Sequence, residues 1–182
     1  MRLWWLPVGA GGHLVIHTSR WWELWRAWRE KREPQLLFHA ALEVYTGSGK
    51  YVIEMAPAWG RHPSQRGVVA TGPVGSRVLG ASRLFRYEIR CWPDGIIDDL
   101  AYAPADPAVI SLSRADAEAL LRRTAAAPLL VWGAPVPGGD MWNSNSLVAW
   151  LLEESGIDAT ELRPPSGRAP GWAAGIQAAS VR

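Results

Sequence analysis

Three residues of this chain have the types that acyl-transfer chemistry needs: a histidine, a carboxylate and a hydroxyl, at His39, Glu54 and Ser144. A hydroxyl at the start of a helix can act as a nucleophile when an imidazole takes its proton. A carboxylate beside that imidazole fixes its tautomer and stabilises its charged form. The backbone N–H groups at a helix start, or the Asn143 amide, can hold the oxyanion that forms. Each residue also has an ordinary explanation. Ser and Asn are favoured helix caps, so Asn143-Ser144-Asn145-Ser146 needs no catalysis to account for it. A lone histidine opening a strand is more often structural, and a glutamate at a strand end is usually solvated. Trp59, Trp132 and Trp142 flank these segments and are expected to line a cleft around them.

The elements that must position this set are legible as patterns. Leu36 to Tyr45, Thr46-Gly-Ser-Gly49 and Lys50 to Met55 read as a β-hairpin by turn chemistry. His39 opens one of its strands and Glu54 closes the other, so the hairpin can bring them side by side. Asn143 to Trp150 reads as a loop entering a helix, from Asn145 to about Ser155, that ends before Gly156. Ser113-Arg-Ala-Asp116 is a capping box with Asp in place of Glu, opening a helix to about Ala126, with Glu118 and Arg122 spaced to pair.

The flanking segments complete the expectation. Leu14 to Thr18 reads as a first strand. Trp21, Leu24, Trp25 and Trp28 then follow at helical spacing up to Pro34, and such a stripe is expected to be the core face of the helix. Residues 68–71, 83–91 and 96–102 read as further strands, with short extended pieces near 108–112 and 129–132. Residues 1–13 read as an N-terminal extension and 164–182 as an irregular tail. The whole is expected to be a single domain over 1–182 of α+β class: a mostly antiparallel central sheet with three main helices around it.

Composition bounds the function. The chain has 182 residues, enough to bury a core without disulfides or metal. One cysteine, Cys91, permits neither an internal disulfide nor a cysteine zinc site. Cys91 is a poor second candidate for a nucleophile, because Trp92-Pro93 follows it and no helix start does. A net charge of +2 is too small to argue nucleic-acid binding. There is no metal-spaced histidine pair and no phosphate-cradling glycine loop, so no cofactor is expected. No apolar run reaches membrane-spanning length and the first residues make a poor secretory signal, so an unprocessed, cytoplasmic protein is expected. Twelve tryptophans are unusual and leave membrane contact open as a lesser possibility.

These motifs together resemble the circularly permuted papain-like superfamily, which includes lecithin retinol acyltransferase-like enzymes and permuted NlpC peptidases. In that superfamily the catalytic histidine precedes the cysteine, which starts a late helix. His39-Ala-Ala-Leu-Glu-Val44 and Tyr51-Val-Ile-Glu-Met-Ala-Pro57 are similar to its histidine strand and partner strand. Asp140-Met-Trp-Asn-Ser-Asn-Ser146 and Leu162-Arg-Pro-Pro165 are similar to the Gly-Pro-Asn-Ser-Asn-Thr and Leu-Pro-Pro segments of an uncharacterised bacterial family of this fold. The resemblance covers most of residues 14–175. It implies a papain-like fold and a Ser144–His39–Glu54 site for hydrolysis or transfer at an amide, ester or thioester. Ser144 stands where the cysteine would be, and a hydroxyl, unlike a thiol, is not ionised near neutral pH. The alternative is therefore a catalytically degenerate module that binds a peptide, glycan or acyl ligand in the old cleft.

Overall fold

The computed structural model describes residues 1–9, 15–58, 67–97, 99–137 and 140–181, with side chains from residue 23 onward in the first helix. Among these residues six strands form one antiparallel sheet: β1 (Arg2–Pro7), β2 (Phe38–Thr46), β3 (Gly49–Pro57), β4 (Val68–Pro73), β5 (Arg86–Pro93) and β6 (Ala108–Val109). Their spatial order is β4-β5-β3-β2-β1-β6. Among the described residues four helices accompany it: α1 (Val15–Glu30), α2 (Arg114–Thr124), α3 (Ser144–Glu154) and α4 (Trp172–Ser180). The α+β class holds, with one more helix than the sequence led us to expect.

Strand alternation divides the sheet into two unlike faces. Phe38, Ala40, Leu42 and Val44 of β2, with Ile53, Met55, Tyr87 and Ile89, form the main core beneath Leu120 of α2 and Leu147, Val148, Leu151 and Leu152 of α3. Residues of the other parity, Leu6, Ala41 and Val52, form a smaller cluster under Ile97 and Leu100. The hairpin turns at Gly47-Ser48, with Thr46 opposite Gly49, as its glycines foretold. α3 is apolar on nearly every side and is buried from Asn145 to Leu152, which makes it the central helix. α4 lies against it, and Gly175 permits that approach: a Cβ there would meet the Ser146 carbonyl oxygen.

Several segments differ from the sequence expectation. The N-terminal extension contributes β1, which pairs with both β2 and β6. Residues 15–18 begin α1 and are not a strand. Residues 96–97 and 99–102 form no strand; Leu100–Tyr102 is a single 3-10 turn. Trp132 makes only an isolated bridge to Val74. The C-terminal tail contains α4, and Arg168 bridges to Leu37 beside β2. In α2, Ser113 accepts the Asp116 N–H as a capping box requires, but Arg114 pairs with Glu118 at 3.0 Å.

The Trp stripe of α1 is a larger correction. Trp25 and Trp28 are 50% and 76% exposed, and Leu24 is exposed beside them. The buried side of the helix carries Glu23 and Ala27 instead. Glu23 turns inward because Arg32 donates to its carboxylate, at 3.1 Å from Nη2, and because the Gln35 N–H donates at 2.9 Å. Trp21 falls among the residues whose side chains are not described. Among the described residues, no helix is long and apolar enough to cross a membrane.

Candidate functional site

Asn143 is the cap of α3 and Ser144 its first residue. Both ends of the Asn143 amide are occupied. Its Oδ1 accepts the Asn145 N–H at 2.9 Å, and its Nδ2 donates to the Pro170 carbonyl at 2.9 Å. Asn143 therefore serves the helix start rather than standing ready as an oxyanion donor. Ser146 completes a capping box: its Oγ accepts the Asn143 N–H at 3.0 Å and donates to the Gly171 carbonyl at 2.7 Å.

Asn145 does something the sequence reading missed. It is almost fully buried, its Oδ1 accepts the Ala40 N–H at 2.8 Å, and its Nδ2 donates to the Phe38 carbonyl at 2.9 Å. These two backbone groups would face β3 if the hairpin pairing continued. The β2–β3 register ends at Leu42 opposite Ile53, and the Asn145 amide takes the next bonds on β2. The Phe38 N–H goes to the Arg168 carbonyl at 2.8 Å. The motif thus ties α3, β2 and the segment before α4 into one knot. A signal existed: one cap residue satisfies a helix start, so a second asparagine two residues later needs a partner elsewhere.

Ser144 is the exception within the motif. Neither its hydroxyl nor its backbone N–H has a hydrogen-bond partner among the described residues. His39 lies between Phe38 and Ala40, so alternation sends its side chain to the sheet face opposite α3. There its Nε2 is 3.8 Å from Asp99 Oδ2, an ion-pair separation rather than a hydrogen bond. Asp99 was not among the expected site residues.

Glu54 shares that face with His39, but its carboxylate belongs to another group. Arg90 lies directly across from it on β5 and donates from Nη1 to Glu54 Oε1 at 2.8 Å. Arg90 also donates to Glu88 Oε2 at 3.1 Å, and Arg90 and Glu88 are both buried. The triad of His39, Glu54 and Ser144 is therefore not joined by any hydrogen bond or ion pair among the described residues. Glu54 is one arm of a carboxylate–guanidinium–carboxylate cluster.

The expected aromatic cleft is also different. Trp142 is fully buried in the main core. Trp132 is half-buried and packs edge-on against Tyr87, with ring centroids 5.8 Å apart. Trp59 lies outside the described residues. Tyr87 donates to the Leu130 carbonyl at 2.8 Å, and burial pushes its hydroxyl pKa up to about 12. Burial likewise pushes the Cys91 thiol up to about 11, which keeps it protonated and removes it as a nucleophile near neutral pH.

The opening that does adjoin the motif is a groove of about 640 Å³ over the segment that Asn143 and Asn145 anchor. Leu162, Trp172 and Ile176 supply apolar wall, and Arg26, Arg163 and Arg168 supply positive charge. Arg163 is exposed and forms no ion pair among the described residues. Arg26 and Arg168 share Glu30, at 2.7 and 3.1 Å. The hydrogen bond from Arg32 holds the Glu30 pKa near 2; burial opposes this, and bonds from Arg168 and Arg26 reinforce it. Asp140, the carboxylate in the groove's lining among the described residues, is committed to backbone: it accepts the Gly171 and Met141 N–H groups at 2.9 and 2.8 Å. Among the described residues no cluster of His, Cys, Asp and Glu fits a metal ion. No family model matches the chain, and no curated protein or solved structure matches it.

Proposed function

We propose that this protein is a ligand-binding module on a papain-like scaffold, with the acyl-transfer chemistry of that scaffold lost. Its ligand is a peptide or acyl group carrying an acidic head, held in the groove beside Trp172. The observation that carries this reading is the Arg90–Glu54 ion pair, which removes the carboxylate a Ser–His–Glu site needs. The groove supports the ligand class. Arginine forks suit a carboxylate or phosphate, and the Leu162, Trp172 and Ile176 wall suits an apolar body better than a neutral glycan.

A calorimetric titration with N-dodecanoyl-glutamate tests the reading, since that probe joins an acyl chain to an acidic head. Saturable binding is expected to weaken about tenfold, or 1.4 kcal/mol, in Arg163→Glu. Ser144→Ala is expected to bind like the unaltered protein. No binding, or binding indifferent to Arg163→Glu, would overturn the assignment of the groove.

One observation favours a second reading. Among the described residues Ser144 has no hydrogen-bond partner for its hydroxyl or N–H at the start of α3, the arrangement a nucleophile and oxyanion donor would need. In that reading the protein hydrolyses or transfers at an amide, ester or thioester, and Asp99 rather than Glu54 orients His39. It ranks second because His39 lies on the sheet face away from α3.

A further inference from the structure

The outward face of α1 has residue types that run against its exposure. A helix on a globular protein normally buries its aromatic stripe and wets its charges. Here the order is inverted. Glu23 and Ala27 face the body, and Leu24, Trp25 and Trp28 face solvent. The inversion is held by ion pairs. Arg32 bonds both Glu23 and Glu30, at 3.1 and 2.6 Å, and Arg168, from the segment before α4, bonds Glu30 at 3.1 Å. Leu36, 64% exposed, extends the apolar character just past the helix.

Exposed basic side chains flank this stripe. Arg29 is exposed, and its guanidinium stacks on Trp25 at 5.0 Å. Lys31 is exposed at the helix end and forms no ion pair among the described residues. A depression of about 730 Å³ beside Trp28 is lined by Arg29, Lys31 and Arg32. Among the described residues, Glu33 is its one acidic wall. Glu23 and Glu30 are neutralised by the arginines that hold them.

We propose that α1 docks this protein on an anionic lipid bilayer, with Trp25 and Trp28 seated among the headgroups. Indole rings favour that boundary because one end is apolar and the N–H end is polar. Exposed basic side chains add about 1 kcal/mol each near an anionic surface. The depression at Trp28 receives a lipid phosphate through Arg29 and Lys31, since Arg32 is committed to Glu23 and Glu30. The helix lies in the plane of the interface and does not span it. This docking is independent of what the groove holds.

The test is co-flotation of the full chain with vesicles of phosphatidylcholine alone and of phosphatidylcholine mixed with phosphatidylglycerol. Binding is expected only with the anionic vesicles, and it should fall steeply as salt is raised. The double substitution Trp25→Ser with Trp28→Ser should reduce it by roughly tenfold or more. These side chains are exposed, so melting temperature and circular dichroism should be unchanged. Arg29→Glu with Lys31→Glu keeps the tryptophans, and should cost at least about tenfold at low salt. Absent flotation, equal flotation with neutral vesicles, or flotation insensitive to both double variants would overturn the proposal. A dimer in light scattering that Trp28→Ser dissociates would also overturn it, because a second copy would then cover the face.

Discussion

Arg90 holds the carboxylate of Glu54 at 2.8 Å from its position directly across the β3–β5 ladder. The same guanidinium holds Glu88, so one buried cation serves two carboxylates. Removing the cation strands Glu88 away from water and leaves the half-buried Glu54 unpaired. Arg90→Met is therefore expected to destabilise the fold by about 3–5 kcal/mol, measured by urea denaturation. Adding Glu54→Gln and Glu88→Gln to Arg90→Met should recover most of that loss. A near-neutral Arg90→Met would mean the cluster is not the structural element described.

Asn145 is expected to matter as much as any core residue. Asn145→Ala leaves the Ala40 N–H and the Phe38 carbonyl buried without partners, at about 1–3 kcal/mol each. Asn145→Asp should be no better, because it replaces the donor to Phe38 with a second acceptor. Hydrogen exchange reads the effect locally: the Ala40 amide should lose protection before the amides of β5 do.

Gly175 sets the spacing of α3 and α4. A Cβ at this position would sit impossibly close to the Ser146 carbonyl oxygen and 2.8 Å from the Ala149 side chain. Gly175→Ala raises helix propensity, yet it is expected to destabilise by about 1–3 kcal/mol through overpacking. A stabilised Gly175→Ala in thermal melts would show that the two helices separate easily.

Glu30 gives the stability a defined acid dependence. Its pKa is held near 2 in the folded chain, below the ordinary glutamate value of 4.5. A depressed carboxylate contributes stability that is complete above 4.5 and is lost as pH falls toward 2. Glu43 adds to this slope: burial raises its pKa, but bonds from Trp4 and Tyr45 and the charges of Lys50 and Arg2 together bring it below normal. Melting temperature should drop between pH 4.5 and 2, and Glu30→Gln should flatten part of the drop. The same dependence in Glu30→Gln as in the unaltered protein would contradict this assignment.

What the sequence conveyed and what it withheld follow from the range of the interactions. The β2–β3 hairpin was legible because alternation and a Gly-Ser turn are local signals. The shared face of His39 and Glu54 followed from the same parity. Arg90's hold on Glu54 was not legible, because it depends on β5 lying beside β3, which no local pattern specifies. Asp99 reaches His39 from a turn after β5 for the same reason. The α1 stripe had a clear period, but a period does not say which way a helix faces. That was decided outside the helix: Arg32 draws Glu23 inward, and Arg32 and Arg168 tie down the exposed Glu30 at the helix end. α4 was hidden by the Pro-Gly run that precedes it and by its lack of charge. Asn143 was recognised as a polar helix start, whereas the reach of Asn145 to β2 needed the tertiary fold.

The most direct test of the central claim is the intact mass of the folded protein after exposure to a broad fluorophosphonate. An activated serine is phosphonylated, and a hydroxyl that only begins a helix is not. With Glu54 bound to Arg90 and His39 on the far face, no adduct is expected. A single adduct that disappears in Ser144→Ala and in His39→Ala would contradict the account and establish a working serine hydrolase or acyltransferase.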